Sequence, residues 1–363
     1  MKILIIGFAK IKYMPYLNLY LDNIDTSKNE VHVLYWNRDL QQEALPRGKN
    51  IIWHEFKCYQ EDDVSRFTKI GSFLKFRNFA KSVIKKEKFD FLITLTTVVS
   101  VLLSDILIKK YPQKYFFDYR DITYEGLSVY KRILWSIVKN STKTFVSSDA
   151  FRGYFPQSQQ KKIHTTYNLL EDSLSHREDK EAYGVSSDKI RIAFWGFIRH
   201  EEINKSIIKS LANDGRFQLH YYGREQETGK VLKAYAAELK AENVFFHGEY
   251  KPEDRYEFIK NTDIIHNIYD DSNMMLAMGN KFYDGIIFRI PQICTKGSFM
   301  SEMAEQYGVG KAVDAKAQDF ADSVYGYYTG LDFSGFRQNC DIALEQVIRA
   351  NKDTVDQIRE ILN

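Results

Sequence analysis

Three cysteines and six prolines in 363 residues already set aside several kinds of protein. Cys58, Cys294 and Cys340 are odd in number and far apart. They match neither a disulfide framework nor the paired spacing of a zinc site, and point to a reducing, cytoplasmic setting. No tract is proline-rich or of low complexity, so extended disorder is not expected. No run of about 18 apolar residues occurs, which argues against a membrane-spanning helix. The opening MKILIIGFAK carries an apolar run too short for a signal-peptide core and reads as a buried strand. That strand ends in GFAK with no G-x-G-x-x-G after it, so a dinucleotide oxidoreductase is disfavoured. No solenoid or propeller period recurs. No nucleic-acid-binding module is recognisable, and nucleic acid is not expected as a partner.

What the chain does have is length, apolar content and an uneven charge. At 363 residues it exceeds one typical core, so two domains are expected. Apolar residues make up 44 % and aromatics 15 %, enough for each domain to bury a core. The net charge of +3 hides an asymmetry: residues 1–170 carry 27 Lys and Arg against 16 Asp and Glu, whereas residues 171–363 carry 24 against 32. A basic first half argues for an anionic partner, whether a membrane face, a diphosphate lipid or, with less support, nucleic acid; a solvated basic surface is the plain alternative.

Strand-like and helix-like stretches alternate along both halves. In the first, strands are expected at 2–7, 30–36, 51–56, 90–96, 115–119, 142–148 and 162–168, with helices between them at 65–88, 98–110 and 127–139. In the second, strands are expected at 190–196, 217–223, 243–248, 263–269, 291–295 and 310–313, each followed by a helix-sized segment. Strands separated by helices build parallel sheets covered on both faces, an α/β architecture of two Rossmann-like domains. Residues 171–189 are polar and without apolar period, and read as a linker between domains 1–170 and 190–335. A helix over 335–362 closes the chain and is long enough to pack back across the first domain.

The most informative stretch is NKFYDGIIFRIP, residues 280–291. Gly279 and Asn280 can break and cap the preceding loop. Phe282, Ile286 and Ile287 recur at helical spacing, with Asp284 expected off the buried stripe. Free N–H groups and the helix dipole would attract a diphosphate, and a carboxylate one turn in suits the two hydroxyls of a ribose. An amphipathic surface helix with a chance aspartate is the plain alternative. Gly196, Gly223 and Gly248 end three expected strands, where ligands lie in open parallel sheets.

FDYRD (117–121), FVSSD (145–149), the strand ending in Asn168, FWGFIR (194–199), HYYGRE (220–225), NVFFHGEY (243–250) and NKFYDGIIFRIP together resemble a known family. It is that of the retaining GT-B glycosyltransferases that build bacterial capsule, O-antigen and exopolysaccharide (family 4-like). The resemblance covers nearly the whole chain and implies two Rossmann-like domains facing a cleft. It implies transfer of a sugar from a nucleotide-sugar donor to a glycan or polyprenyl-diphosphate-linked acceptor, with no metal and no further cofactor.

The resemblance also assigns roles. Gly196 with Arg199, and Lys205, would cradle the donor diphosphate. The family's Arg directly after that glycine is Phe197 here. Gly223, Arg224, His247 and Gly248 would lie beside the nucleotide, Asn280 and Lys281 at its phosphates, and Asp284 on its ribose. The family's helix carries two glutamates seven residues apart; Asp284 takes the second place and Leu276 the first. In the first domain Asp121, Arg120 and Glu125 are the catalytic candidates, and Thr96 and Thr97 the acceptor contacts. Asp270 and Asp271 read as a turn or as sugar-hydroxyl contacts.

One more expectation concerns helix 65–88. Its cations, with Phe67, Phe73, Phe76 and Phe79, would rest on the anionic inner membrane face as a peripheral contact. Two other functions fit the same layout: a nucleotide-sugar 2-epimerase, and a degenerate transferase that binds a glycan or partner without turnover.

Overall fold

A computed structural model of the chain describes residues 1–363 apart from 47–49, 62–65, 170, 180–188 and 272. The expected residues 180–189 of the linker therefore lie almost wholly outside the described part. The chain divides into two compact units, Met1–Tyr167 with Ala350–Asn363, and Asn168–Arg349.

The first unit holds a seven-stranded sheet of β1 (Lys2–Ile6), β2 (Glu30–Asn37), β3 (Ile51–Lys57), β4 (Phe91–Leu95), β5 (Tyr115–Tyr119), β6 (Lys143–Val146) and β7 (Ile163–Thr165). Their order is β3-β2-β1-β4-β5-β6-β7, all parallel. The central strands are apolar on both faces: Ile3 to Ile6, Leu92, Ile93, Phe116 and Phe117 are fully buried. Such runs are what a covered parallel sheet requires. The last helix, Phe333–Leu362, reaches this core with Ile358 and Leu362, which pack among Ile3, Val31 and Ile93. Asn351 on that helix pairs with both backbone groups of Tyr167, at 2.7 and 3.0 Å.

Helix Arg66–Glu87 differs from expectation. Its buried stripe is Phe76, Ala80, Val83 and Ile84, whereas Ile70 and Leu74 are 50 % and 51 % exposed. Phe76 stacks on Trp36 at 5.7 Å and meets Phe8 edge-on at 4.9 Å, so it belongs to the core and not to a membrane-facing surface. The apolar stripe runs through the position two residues, or about 200°, away from Leu74. Phe67, another expected contact, has a side chain outside the described part.

The second unit holds β8 (Ile190–Trp195), β9 (Phe217–Tyr222), β10 (Val244–Phe246), β11 (Ile264–Asn267), β12 (Gln292–Thr295) and β13 (Gly310–Val313). Their order is β10-β9-β8-β11-β12-β13, again all parallel. Helix Asn280–Ile287 is short and, from Phe282 onward, buried all round. Its Gly285 gives room to Gln292: a Cβ there would stand 2.2 Å from the Gln292 amide nitrogen. That amide donates to the Phe282 carbonyl at 3.1 Å, tying the helix to β12. Residues 171–179, expected as open linker, instead form a 3₁₀ helix fastened to this unit. Arg177 reaches the Ile287 carbonyl at 3.2 Å, His176 stacks on Tyr256 at 3.6 Å, and Glu178 pairs with Arg289 at 3.0 Å.

Candidate functional site

Strand order in the second sheet reverses between β8 and β11, the place where open α/β sheets bind ligands. Beyond β8 the chain turns at Gly196, whose φ of +114° few side chains tolerate. The Gly196 N–H donates to the Tyr222 carbonyl at 2.9 Å, and the Gly223 N–H to the Gly248 carbonyl at 2.8 Å. A Cβ on Gly223 would stand 1.9 Å from the Gly196 carbonyl oxygen. The structure thus brings these three glycines side by side at the ends of β8, β9 and β10.

The loop after Gly196 is pinned by a residue that the sequence reading passed over. Asn204, on the buried face of helix Glu201–Leu211, donates to the Arg199 and His200 carbonyls at 2.7 and 2.9 Å. Its side-chain oxygen accepts from Tyr221 Oη at 2.9 Å and from His266 Nε2 at 3.1 Å. His266 Nδ1 accepts the Ile268 N–H, so its proton sits on Nε2. Burial, reinforced by Lys281 and His200, pushes His266 down to about 3 and keeps it neutral. An asparagine at apolar-face spacing with Ile208 and Leu211 was the available signal. His200, also in the left-handed region, meets Asp270 at 3.1 Å and so links the loops after β8 and β11. Asp270 is engaged there, and Asp271 accepts the Asn273 N–H at 2.7 Å as a turn former.

Lys281 lies over aromatic faces, its ammonium 4.2 Å from the Phe194 ring centre and 5.5 Å from that of Tyr269. It stands 3.7 Å from where a Gly196 Cβ would be. Burial pushes it down to about 8; Asp284 draws it back up and Arg199 adds to the lowering. Arg199 is exposed and stacks on Phe197 at 4.6 Å. Two cations therefore flank the Gly196 turn, a natural seat for a diphosphate.

Asp284 is not displaced from the buried stripe as expected: it is 3 % exposed, because two partners draw the carboxylate inward. Trp195 Nε1 donates to Oδ2 at 2.9 Å, and Arg255 Nη1 stands 3.8 Å from Oδ1. Burial raises its pKa, while Arg255, the Trp195 hydrogen bond and Lys281 each lower it. Trp195 and Arg255 lie 89 and 29 residues from Asp284, with no spacing that announces either.

The other expected donor residues either face solvent or have protein partners of their own. Lys205 pairs with Glu201 and Glu202 of its own helix, because they sit one turn before it. Asn280 is not the cap: the helix starts from Gly279 with no side-chain cap, and Asn280 is exposed as its first residue. Arg224 is exposed at the end of β9. His247 stacks on Tyr222 at 4.2 Å and meets His220 Nδ1 at 3.0 Å, and burial lowers its pKa.

In the first unit, two of the three catalytic candidates are buried and engaged with protein partners. Arg120 is 5 % exposed and ion-paired with Asp118, with Nη2 donating to Oδ2 at 2.9 Å; Tyr20 Oη completes the group at 2.7 Å from Asp118. Burying a guanidinium demands such a partner. Glu125 is 4 % exposed, accepting from Tyr119 Oη at 2.9 Å and from the Thr123 N–H. Asp121 is exposed just beyond β5, its carbonyl accepting from Thr97 Oγ1 at 2.8 Å. Thr97 is buried, with its hydroxyl given to that loop carbonyl. Thr96 has φ +77° and ψ 159°, a strained setting for a β-branched residue, and its N–H donates to the Asp118 carbonyl at 2.9 Å.

The described residues contain no group of three or more His, Cys, Asp and Glu arranged to hold a metal ion, and no helix long and apolar enough to cross a membrane.

No family model matches the sequence, and no curated protein matches it. Solved structures do match it over both units. Sucrose-phosphate synthase of Thermosynechococcus elongatus is similar with a TM-score of 0.73 and 11 % identity, over 99 % of each chain. HepE of Anabaena in complex with UDP-glucose gives 0.69 and 15 %, over 99 % of this chain and 100 % of that one. WaaG, a glycosyltransferase of lipopolysaccharide biosynthesis, gives 0.62 and 11 %, over 99 % of each.

The fold is GT-B.

Its two parallel sheets, of seven and six strands, are the two Rossmann-like domains of that fold. Within this GT-B chain Leu276 stands half-buried in the turn before the 280–287 helix, its N–H donating to the Asn273 carbonyl at 3.2 Å.

Proposed function

We propose that the protein is a glycosyltransferase whose second unit takes a nucleoside-diphosphate sugar at the Gly196, Lys281 and Asp284 cluster. The observation that carries this is one arrangement: a positive-φ glycine turn, an ammonium in no ion pair among the described residues, and a buried carboxylate, all at the β8/β11 switch point. Lys281 and Arg199 neutralise the diphosphate, and Asp284 accepts from the ribose. In the reaction the bond between the sugar's anomeric carbon and the diphosphate oxygen breaks. A bond to an acceptor hydroxyl oxygen forms, that hydroxyl gives up its proton, and the nucleoside diphosphate leaves. Charge develops on the leaving diphosphate, where the two cations stand.

The donor base is open, and UDP is the first probe because HepE has been solved with UDP and with UDP-glucose. Retention at the anomeric carbon, independence from metal, and a polyprenyl-diphosphate-linked acceptor in surface polysaccharide synthesis are further parts of the proposal. The basic first half of the chain supports the anionic acceptor. Asp121, exposed beyond β5, is the residue proposed to orient the acceptor hydroxyl.

The test is a thermal-shift panel of UDP, GDP, ADP and CMP, with and without magnesium, on wild type and Asp284→Ala. A ligand at about 100 times its Kd stabilises by roughly 2.7 kcal/mol, well within reach of the method. A shift from one nucleotide that needs no magnesium and vanishes in the variant supports the proposal. No shift from any of the four overturns it. Binding without transfer to any acceptor favours the binding-only alternative, for which Leu276 in place of an acidic residue is the supporting observation.

A further inference from the structure

Two arginines in the second unit face buried aspartates, and they are used differently. Arg191 gives Asp263 bonds from Nε at 2.8 Å and from Nη2 at 3.0 Å, a saturated structural clamp. Arg255 faces Asp284 at 3.8 Å, beyond hydrogen-bond distance. Its Nη2 donates instead to Ser173 Oγ at 2.6 Å and to Tyr256 Oη at 3.3 Å, and its Nε is buried without a hydrogen-bond partner. Ser173 is fully buried in the 171–179 segment, and Tyr256 is stacked beneath His176 of the same segment. Arg255 is thus held from behind, with its charge set toward Asp284 but its donors not spent on it. Trp195 occupies Oδ2, which leaves the lone pairs of Oδ1 for a donor from outside the protein.

We propose that Arg255 is a positioning residue which, fastened by Ser173, keeps the buried Asp284 carboxylate charged so that Oδ1 accepts the ribose hydroxyls of the bound nucleotide. The inference rests on the donor site proposed above. The groups facing Asp284 are Trp195, Arg255, Lys281 and Tyr250. Burial favours the neutral acid, and Arg255 is the foremost group opposing it. A protonated Asp284 would present a donor where an acceptor is needed. Removing the guanidinium charge therefore weakens the ribose contact at neutral pH, and raising the pH restores it.

Lys281 complicates a plain pH profile, since it also loses charge near pH 8 and serves the diphosphate. The ratio of two affinities avoids this. We would measure the Kd of the nucleoside diphosphate that stabilises wild type most (UDP, GDP or ADP) and of its 2′,3′-dideoxy analogue, from pH 6 to 9. Both ligands share the diphosphate, so Lys281 cancels in the ratio. Wild type should prefer the ribonucleotide by about tenfold or more, the scale of a charge-assisted hydrogen bond. Arg255→Gln should bring the ratio near one at pH 6.5 and recover it toward pH 9, while Arg255→Lys keeps most of it. Ser173→Ala should shrink the ratio in the same direction, and carries the test if Arg255→Gln does not fold. An Arg255→Gln or Ser173→Ala protein with the wild-type ratio at every pH overturns the inference while leaving the donor site intact. A wild type that binds none of the nucleotides overturns the donor site itself, and the inference with it.

Discussion

The indole N–H of Trp195 donates to Asp284 at 2.9 Å across 89 residues of chain. One partner is the last residue of β8 and the other lies on the 280–287 helix. The bond therefore fixes that helix against the turn at Gly196, and it places the carboxylate at the reversal of strand order. Everything proposed for the second unit depends on this register.

Asp284→Asn tests that dependence. The amide keeps the shape of the carboxylate and still accepts from Trp195, but loses its charge. Arg255 is then left without a counter-charge, at a cost of about 1–3 kcal/mol in chemical denaturation, the range for a buried group losing its partner. The nucleotide-induced shift should disappear in the same protein. A variant that keeps the full ligand shift removes Asp284 from the site.

Lys281→Met should separate stability from binding. With its pKa down to about 8 in the fold against 10.5 unfolded, the unfolded chain binds more protons between these values. Stability therefore rises as pH climbs through the window from 8 to 10.5, and below it the buried charge costs stability. Methionine removes that cost, so the ligand-free variant should melt about 2–4 °C higher at pH 7 per kcal/mol recovered. Nucleotide binding should fall about tenfold or more with the loss of a charge-assisted contact. For wild type, affinity should weaken as pH rises above 8. A Lys281→Met protein that melts lower, or a flat affinity profile to pH 9.5, contradicts this account.

The fold was legible because it is written in local pattern. Every expected strand appears within a few residues, since a covered parallel strand is a short apolar run bounded by turns. Gly196, Gly223 and Gly248 were legible too: Gly223 passes the Gly196 carbonyl too closely for a side chain, and Gly196 and Gly248 take positive φ. Trp195 and Arg255 were not, because their partner is far away in sequence and a strand tryptophan reads as core. Arg120 and Glu125 misled for the opposite reason. Charged residues in a loop read as exposed chemistry, whereas Asp118 and Tyr119 draw both of them inward. Phe76 misled as a membrane contact because an apolar residue beside lysines suits either face, and only the neighbouring Trp36 and Phe8 place it in the core.

Gly223→Ala and Gly248→Ala form a contrast. At Gly223 the new methyl meets the Gly196 carbonyl at 1.9 Å, so the β8 turn must move. We expect a loss of about 1–3 kcal/mol from the forced shift and loss of nucleotide binding. At Gly248 nothing lies within 4 Å, and the only penalty is the φ of +78°. That costs about 1–2 kcal/mol with binding largely kept. Equal loss of binding in both variants would mean that Gly248 also touches the ligand. Melting curves and nucleotide titration read both effects.

Membrane association now has a smaller footprint to test. Ile70 and Leu74 are exposed on helix Arg66–Glu87 beside the exposed Lys75, whereas Phe76 is interior. Ile70→Asp with Leu74→Asp should abolish co-sedimentation with vesicles containing anionic lipid at low salt and leave the melting temperature unchanged. Wild type that ignores such vesicles removes the membrane from the proposal.

Arg120→Ala and Asp121→Ala should fail in different ways although the residues are neighbours. Arg120 closes a buried group with Asp118 and Tyr20, so its removal strands a carboxylate in the core. Breaking a buried pair costs about 3–5 kcal/mol, and activity should fall because folded protein is lost. Tyr20→Phe, which removes one hydrogen bond from the same carboxylate, should cost about 1–3 kcal/mol and leave the folded fraction active. Asp121 is exposed, and its bond to Thr97 is made by its backbone carbonyl, which alanine retains. Asp121→Ala should therefore melt well above Arg120→Ala and bind nucleotide with wild type. Transfer to acceptor should fall by about 10²–10⁴ if the carboxylate takes the hydroxyl proton. Unchanged transfer would place acceptor activation on another residue and leave Asp121 as a loop former. A melting temperature lowered as far as that of Arg120→Ala would instead put its carboxylate in the structural group.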